Sequence, residues 1–186
     1  MADEADFDRA WSVARDIPGW LKEGQARLLW EEARELPGGA TVVEIGSHQG
    51  RSTVILGTAL RHARGRLVAI DPFVEGRLFG GTPTRSKFER NVTAAGVDDV
   101  VELVPDYSTE LRPRWTRGFD MLYIDGKHDY WTVSDDLRWR EHLVDGGAVV
   151  IHDCFSSIGV TLAVLRHVLL ARELAPGGAE PPGPPQ

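Results

Sequence analysis

The sequence predicts an α/β fold, a doubly wound and mainly parallel sheet, on three observations. Short aliphatic runs recur at Val42–Ile45, Leu67–Ile70, Val100–Val104, Met121–Ile124 and Ala148–Ile151. Helical patterns separate them, clearest at Thr53–Arg61, Lys87–Ala95 and Trp131–His142. Near-continuous apolar strands alternating with helices imply a parallel sheet covered on both faces. The first run then passes directly into a glycine loop, Gly46-Ser47-His48-Gln49-Gly50, and a helix opens at Arg51-Ser52-Thr53. That is a Rossmann-like order, which delivers Glu44 and Gly46 to the carboxyl edge of the sheet, where open α/β folds bind ligands.

Size and charge narrow the function. At 186 residues the chain is one domain, long enough to bury a working core. A hydrophobic share of 42% and a charged share of 26% are those of a soluble globular protein. Net charge is -7 and the basic residues are scattered, which argues against a nucleic-acid backbone as partner. No apolar run approaches a membrane span, and the acidic start Met1-Ala2-Asp3-Glu4 is unlike a secretory signal. Cys154 is the only cysteine, so neither an internal disulfide nor a cysteine metal cluster can form. A cytoplasmic protein is the expectation.

Residues 1–40 read as a helical N-terminal segment. Two helices between Phe7 and Leu36 are broken at Ile17-Pro18-Gly19, and the second carries an amphipathic pattern through Leu21, Ala26, Leu28, Leu29 and Ala33. Residues 41–175 form the ligand-binding domain. Within it, Phe73 to Ser86 holds four helix breakers and no clean period, which predicts a long excursion after a strand end, either a lid or a surface loop. Asp145-Gly146-Gly147 predicts a tight turn into the fifth strand, and Gly159–Glu173 the last helix. Residues 176–186 are mostly Pro and Gly and are expected to be disordered.

The loop chemistry selects the ligand. Its glycines are not spaced as Gly-x-Gly-x-x-Gly, and Glu44 at the strand end would oppose a pyrophosphate, which disfavours an NAD-linked oxidoreductase. An acid there suits an ammonium or a sulfonium group. The loop resembles the first motif of class I S-adenosylmethionine-dependent methyltransferases, against the plainer reading of an ordinary glycine turn. Ser47, Gly50 and Ser52 fall within that motif and are expected at the cofactor. Asp71, about twenty residues on and at the end of the second strand, can accept both ribose hydroxyls. Asp-Pro is also a common turn starter, since Pro72 forbids helix at Asp71. Asp106 can accept the adenine amine with Tyr107 flanking the ring, although Asp-Tyr-Ser is equally good cap chemistry.

The resemblance extends from Pro18 to about Leu170. Gly46, Gly50, Asp71, Asp106, Ile124-Asp125-Gly126 with His128, and Gly146-Gly147 with His152-Asp153 fall in the order of one branch. That branch is similar to the small-molecule O-methyltransferases of macrolide sugars and bacterial polysaccharides, and more distantly to catechol O-methyltransferase. The resemblance implies S-adenosylmethionine as cofactor and a sugar or saccharide hydroxyl as acceptor, an aromatic diol being the next to test. Such enzymes usually finish with an antiparallel strand pair, and none is legible after Glu173. The fifth strand is then an open edge, and a homodimer covering it is expected.

Asp125 and Asp153 end the fourth and fifth strands, which lie side by side in the expected topology. Two such carboxylates repel unless a proton or cation sits between them. Mg²⁺ is expected there because it takes oxygen ligands. Where the catechol enzyme has an Asn after its second acid, this chain has Cys154, a poor Mg²⁺ ligand, so His152 or water completes the shell or the ion is absent. In the plainer alternative Asp125 only orients its ligands and Asp153 caps a turn. His128, three places beyond Asp125, is the expected general base, because a free imidazole titrates at about 6.5. Lys127 is its neighbour and rival. His48 is read as a contact of the methionine carboxylate or as solvated, and Trp20, Trp131 and Trp139 as cleft walls or core. A non-catalytic subunit that only binds S-adenosylmethionine is the alternative from another functional class.

Overall fold

A computed structural model describes residues 2–75, 81–154 and 157–169. Helices α1 (Ala2–Ala14) and α2 (Glu23–Glu35) precede β1 (Thr41–Ile45). There follow α3 (Arg51–His62), β2 (Arg66–Ile70), α4 (Gly81–Ala94), β3 (Val101–Val104), α5 (Ser108–Leu111) and β4 (Phe119–Ile124). The chain continues through α6 (Tyr130–Asp136), a 3-10 turn at Leu137–His142, β5 (Leu143–Ile151), α7 (Ile158–Val164) and a π turn at Leu165–Leu169.

The five strands pair in the order β3-β2-β1-β4-β5. Every pair is parallel, in keeping with the mainly parallel sheet the sequence predicts. In register, Ile45 stands between Ile70 and Ile124, and Ile124 faces Ile151, so four strand ends align along one edge. Alternation within β1 sorts its side chains between two cores. Val42 packs with Val54, Ile55, Leu60, Leu29 and Trp30 under α1, α2 and α3. Val43 and Ile45 pack with Leu122, Val133, Leu137 and Trp139 on the other face. Trp30 is 1% exposed, and its burial stabilises the first core by roughly 2–3 kcal/mol. The helical segment before β1 is therefore part of the body of the protein, built against the sheet.

Two elements differ from the sequence expectation. Asp145-Gly146-Gly147 is a bulge inside β5: Phe119 pairs with Leu143, yet Met121 pairs with Ala148. Gly147 is needed there because a Cβ would lie 2.8 Å from the Asp120 carbonyl oxygen. Helix α4 starts at Gly81, so the excursion after β2 is shorter than expected. The Glu75 carboxylate accepts from the amide and hydroxyl of Thr82 and caps that start from outside the helix. Residues 76–80 of the expected lid, the end of the last helix and the 176–186 tail lie outside the described residues. Among the described residues no strand follows β5, which has β4 as its one neighbour, and no helix is long and apolar enough to cross a membrane.

Candidate functional site

Glu44 fixes the loop that follows it. It falls on the α3 face of β1, is fully buried, and accepts hydrogen bonds from Ser52 Oγ at 2.5 Å and Thr53 Oγ1 at 2.6 Å. Burial pushes its carboxyl up to about 7, against the lowering effect of those hydroxyls. Glu44 and Ser52, both expected at the cofactor, thus stand bonded to each other in the structure. Their polar atoms are spent on each other, and they hold the first turn of α3 against β1. Ser47 is likewise 2% exposed.

Gly46 and Gly50 both have positive φ, 93° and 90°. The close approach at Gly46 is to protein: a Cβ there would sit 2.4 Å from the Asp125 carbonyl oxygen. The Asp125 amide donates to the Ile45 carbonyl at 2.9 Å, so the glycine loop and the turn after β4 are pressed together. Gly50 precedes α3 and faces the Phe88 ring.

Beside this junction opens a cavity of about 460 Å³ lined by Trp20, Gly46, His48, Asp125, Gly126, Lys127, His128 and Asp153. Pockets of this size hold small molecules and cofactors. Asp125 is its acidic centre. The Tyr123 hydroxyl donates to Oδ2 at 3.2 Å. Oδ1 lies 3.2 Å from Nδ1 of His152 and 3.6 Å from Nε2 of His128. Burial, followed by the charges of Glu44 and Asp153, raises the Asp125 carboxyl to about 7 in spite of the Tyr123 bond. Desolvation holds His152 towards its neutral form. Asp153, in the left-handed region at φ 53°, reaches the same Nδ1 at 3.4 Å.

The residues expected at the ribose and adenine stand on the same sheet edge and do not line that cavity. Asp71 accepts from the His48 amide and the Phe73 amide, both at 2.8 Å. It is thus the turn starter its Pro72 neighbour predicts, and it also ties the glycine loop to the end of β2. Asp106 accepts from the Tyr107 amide and from Arg114 at 2.8 Å, with Tyr107 47% exposed beside it.

Sequence reading missed the role of Arg51. Its guanidinium donates to the carbonyls of Ala14, Arg15, Gly19 and Leu21, strapping the Pro18–Leu21 turn over the start of α3. That strap sets Trp20 against the His48 ring, with centroids 5.4 Å apart, at the cavity mouth. Only the helix-breaking Pro18-Gly19, which leaves carbonyls without helical partners, hints at it.

A family model described as a methyltransferase domain matches residues 43–154, from β1 through the end of β5. The chain belongs to this methyltransferase family. Solved structures share its fold. The SAH-bound methyltransferase PaMTH1 of Podospora anserina is 16% identical, with a TM-score of 0.65 over 81% of this chain and 63% of that one. The methyltransferase described here thus spans less than two thirds of the Podospora protein. The O-methyltransferase of Bacillus cereus in complex with SAH is 18% identical at a TM-score of 0.63, covering 91% of this chain and 79% of that one. Cofactor-bound Rv0187 from MTB is 21% identical at 0.63, covering 95% and 80%. In the methyltransferase, the junction of Gly46 and Asp125 lies within the matched span, as does every residue lining the cavity beside it except Trp20.

Proposed function

We propose that this methyltransferase transfers the methyl group of S-adenosylmethionine to a hydroxyl oxygen, and that the acceptor is a sugar or saccharide. The reading is carried by the convergence of the glycine loop, Asp125 and His128 on one cavity at the β1 and β4 strand ends. The SAH of the Podospora and Bacillus structures, which is the demethylated donor, supports that donor. The sugar rests on the similarity of the motif order to the macrolide-sugar and polysaccharide branch.

In this reading the sulfonium methyl faces the acceptor oxygen beside Asp125. The new carbon–oxygen bond forms as the carbon–sulfur bond breaks, SAH leaves, and the hydroxyl proton passes to Nε2 of His128. Holding the reactants in line supplies most of the acceleration. His128 adds a base contribution of roughly 10²–10⁴-fold. Asp125, 3.6 Å from Nε2, orients the ring and stabilises the imidazolium that forms. Lys127 is engaged by Asp129 at 2.8 Å, which leaves His128 the better placed of the two.

Magnesium is not carried into this mechanism. The groups brought to the Asp125 oxygen are two imidazoles, whereas Mg²⁺ prefers an oxygen shell, and Cys154 offers none. We infer a cytoplasmic enzyme acting on small hydroxyl acceptors, consistent with its net charge of -7, and a homodimer that covers the β5 edge.

Incubation with methyl-labelled S-adenosylmethionine and a panel of saccharides and aromatic diols tests the reading. Label appearing in a saccharide ether supports it, and label only in diols moves the acceptor class. SAH binding with no product on any acceptor favours a non-catalytic subunit instead.

A further inference from the structure

His152 poses a problem of its own. Its side chain is 4% exposed, and neither ring nitrogen has a hydrogen-bond partner. A buried imidazole without partners is costly, and such groups are normally satisfied. The carboxylate oxygens of Asp125 and Asp153 stand 3.2 and 3.4 Å from Nδ1, without hydrogen-bond geometry. Across Asp125, the His128 ring stacks on the His152 ring at 6.0 Å and 20°. One oxygen of Asp125 and one nitrogen from each imidazole lie within 4.8 Å of one another.

This is ligand geometry. Donors around a first-row transition ion, bound at about 2.0–2.2 Å, sit roughly 2.8–3.6 Å from each other in octahedral to tetrahedral coordination. The spacings from Asp125 Oδ1 to His152 Nδ1 and to His128 Nε2 are 3.2 and 3.6 Å. The Tyr123 hydroxyl occupies the other oxygen of Asp125 and fixes the carboxylate, as outer partners of metal ligands do. Two imidazoles and one carboxylate suit zinc, cobalt or iron, and suit magnesium poorly.

We propose that Asp125, His128 and His152 form a binding site for a divalent transition-metal ion, selected over magnesium by its two imidazole nitrogens. The proposal rests on the methyltransferase reading for its catalytic meaning, since the site opens on the same cavity. A bound ion would supply Lewis acidity that lowers the pKa of an acceptor hydroxyl. The Nε2 lone pair of His128 serves one role at a time: base in the ion-free chain, ligand in the loaded one.

The test uses the full chain, stripped with a chelator and dialysed against Co²⁺. One Co²⁺ per chain is expected, with a visible ligand-field spectrum of mixed nitrogen and oxygen ligation, retained against a roughly hundredfold excess of Mg²⁺. His152→Ala and, separately, His128→Ala should each weaken Co²⁺ binding by at least about tenfold, with folding checked by circular dichroism. A chain that retains no Co²⁺, releases it to Mg²⁺, or binds it equally well in both variants overturns the proposal. SAH calorimetry runs beside it. SAH binding without Co²⁺ binding sinks the metal site alone, and Co²⁺ binding without SAH binding sinks the donor reading alone.

Discussion

Thr53 Oγ1 donates a hydrogen bond to Glu44 Oε2 at 2.6 Å, with both residues at 0% exposure. The first turn of α3 is thereby fastened to the end of strand β1 by a carboxyl that burial has pushed up to about 7. A carboxyl raised in the folded state keeps its proton after the unfolded chain has lost its own. Stability therefore falls as pH rises from about 4.5 to about 7. Asp125 and Asp136, each raised to about 7 by burial, act in the same window. The ligand-free protein is expected to melt at a higher temperature near pH 5 than near pH 8. Glu44→Gln should flatten that difference by an amount on the order of 1–3 kcal/mol. Thermal melts across the range check it, and a Glu44→Gln profile parallel to the parent would refute it.

Gly46→Ala should be among the most damaging single changes in the loop. The added Cβ would meet the Asp125 carbonyl oxygen at 2.4 Å, at a φ of 93° that L side chains rarely adopt. Donor affinity is expected to fall at least about tenfold, with a stability loss of roughly 2 kcal/mol. Calorimetry with SAH and urea unfolding measure the two separately.

Arg51→Ala removes the donor from four backbone carbonyls at once. Charge-assisted bonds of this kind contribute about 1.5–3 kcal/mol each when isolated, and less than their sum as a set. A loss of roughly 2–3 kcal/mol is expected, together with faster proteolysis in the turn around Pro18. Limited proteolysis with mapped cleavage sites shows whether the strap is what protects it.

His128→Ala should lower methyl transfer by roughly 10²–10⁴-fold while leaving SAH affinity within about twofold. Single-turnover rates beside binding isotherms make the comparison. Full turnover in the variant would remove the base from His128.

The sheet was legible because its central strands β1, β2 and β4 are buried on both faces, so Leu67–Ile70 and Met121–Ile124 read as plain apolar runs. Of the strand order, the sequence reading expected only that the fourth and fifth strands are neighbours, and β4 and β5 do pair. The site was legible only as a set of strand ends: Asp125, His128 and Asp153 do meet at one cavity. What the text could not show was direction. Glu44 reads as a ligand because it precedes the loop, yet the period of two turns it towards α3 and away from the cleft. Arg51 reads as one more helix charge because its partners are carbonyls, which carry no side-chain signature. The β5 bulge was likewise hidden, since Asp-Gly-Gly is as good a bulge as a turn. His152 sat beside an apolar run, where nothing distinguishes a packed imidazole from an unsatisfied one.

Because the Cα of Gly46 is lodged against the backbone of Asp125, the glycine loop proposed to grip the methyl donor and the turn proposed to activate the acceptor meet main chain to main chain. Side chains can rotate to absorb a disturbance, whereas two touching backbones transmit it. Occupation of one half should therefore be felt as a rigid displacement in the other, which makes the order in which donor and acceptor arrive a property of this contact.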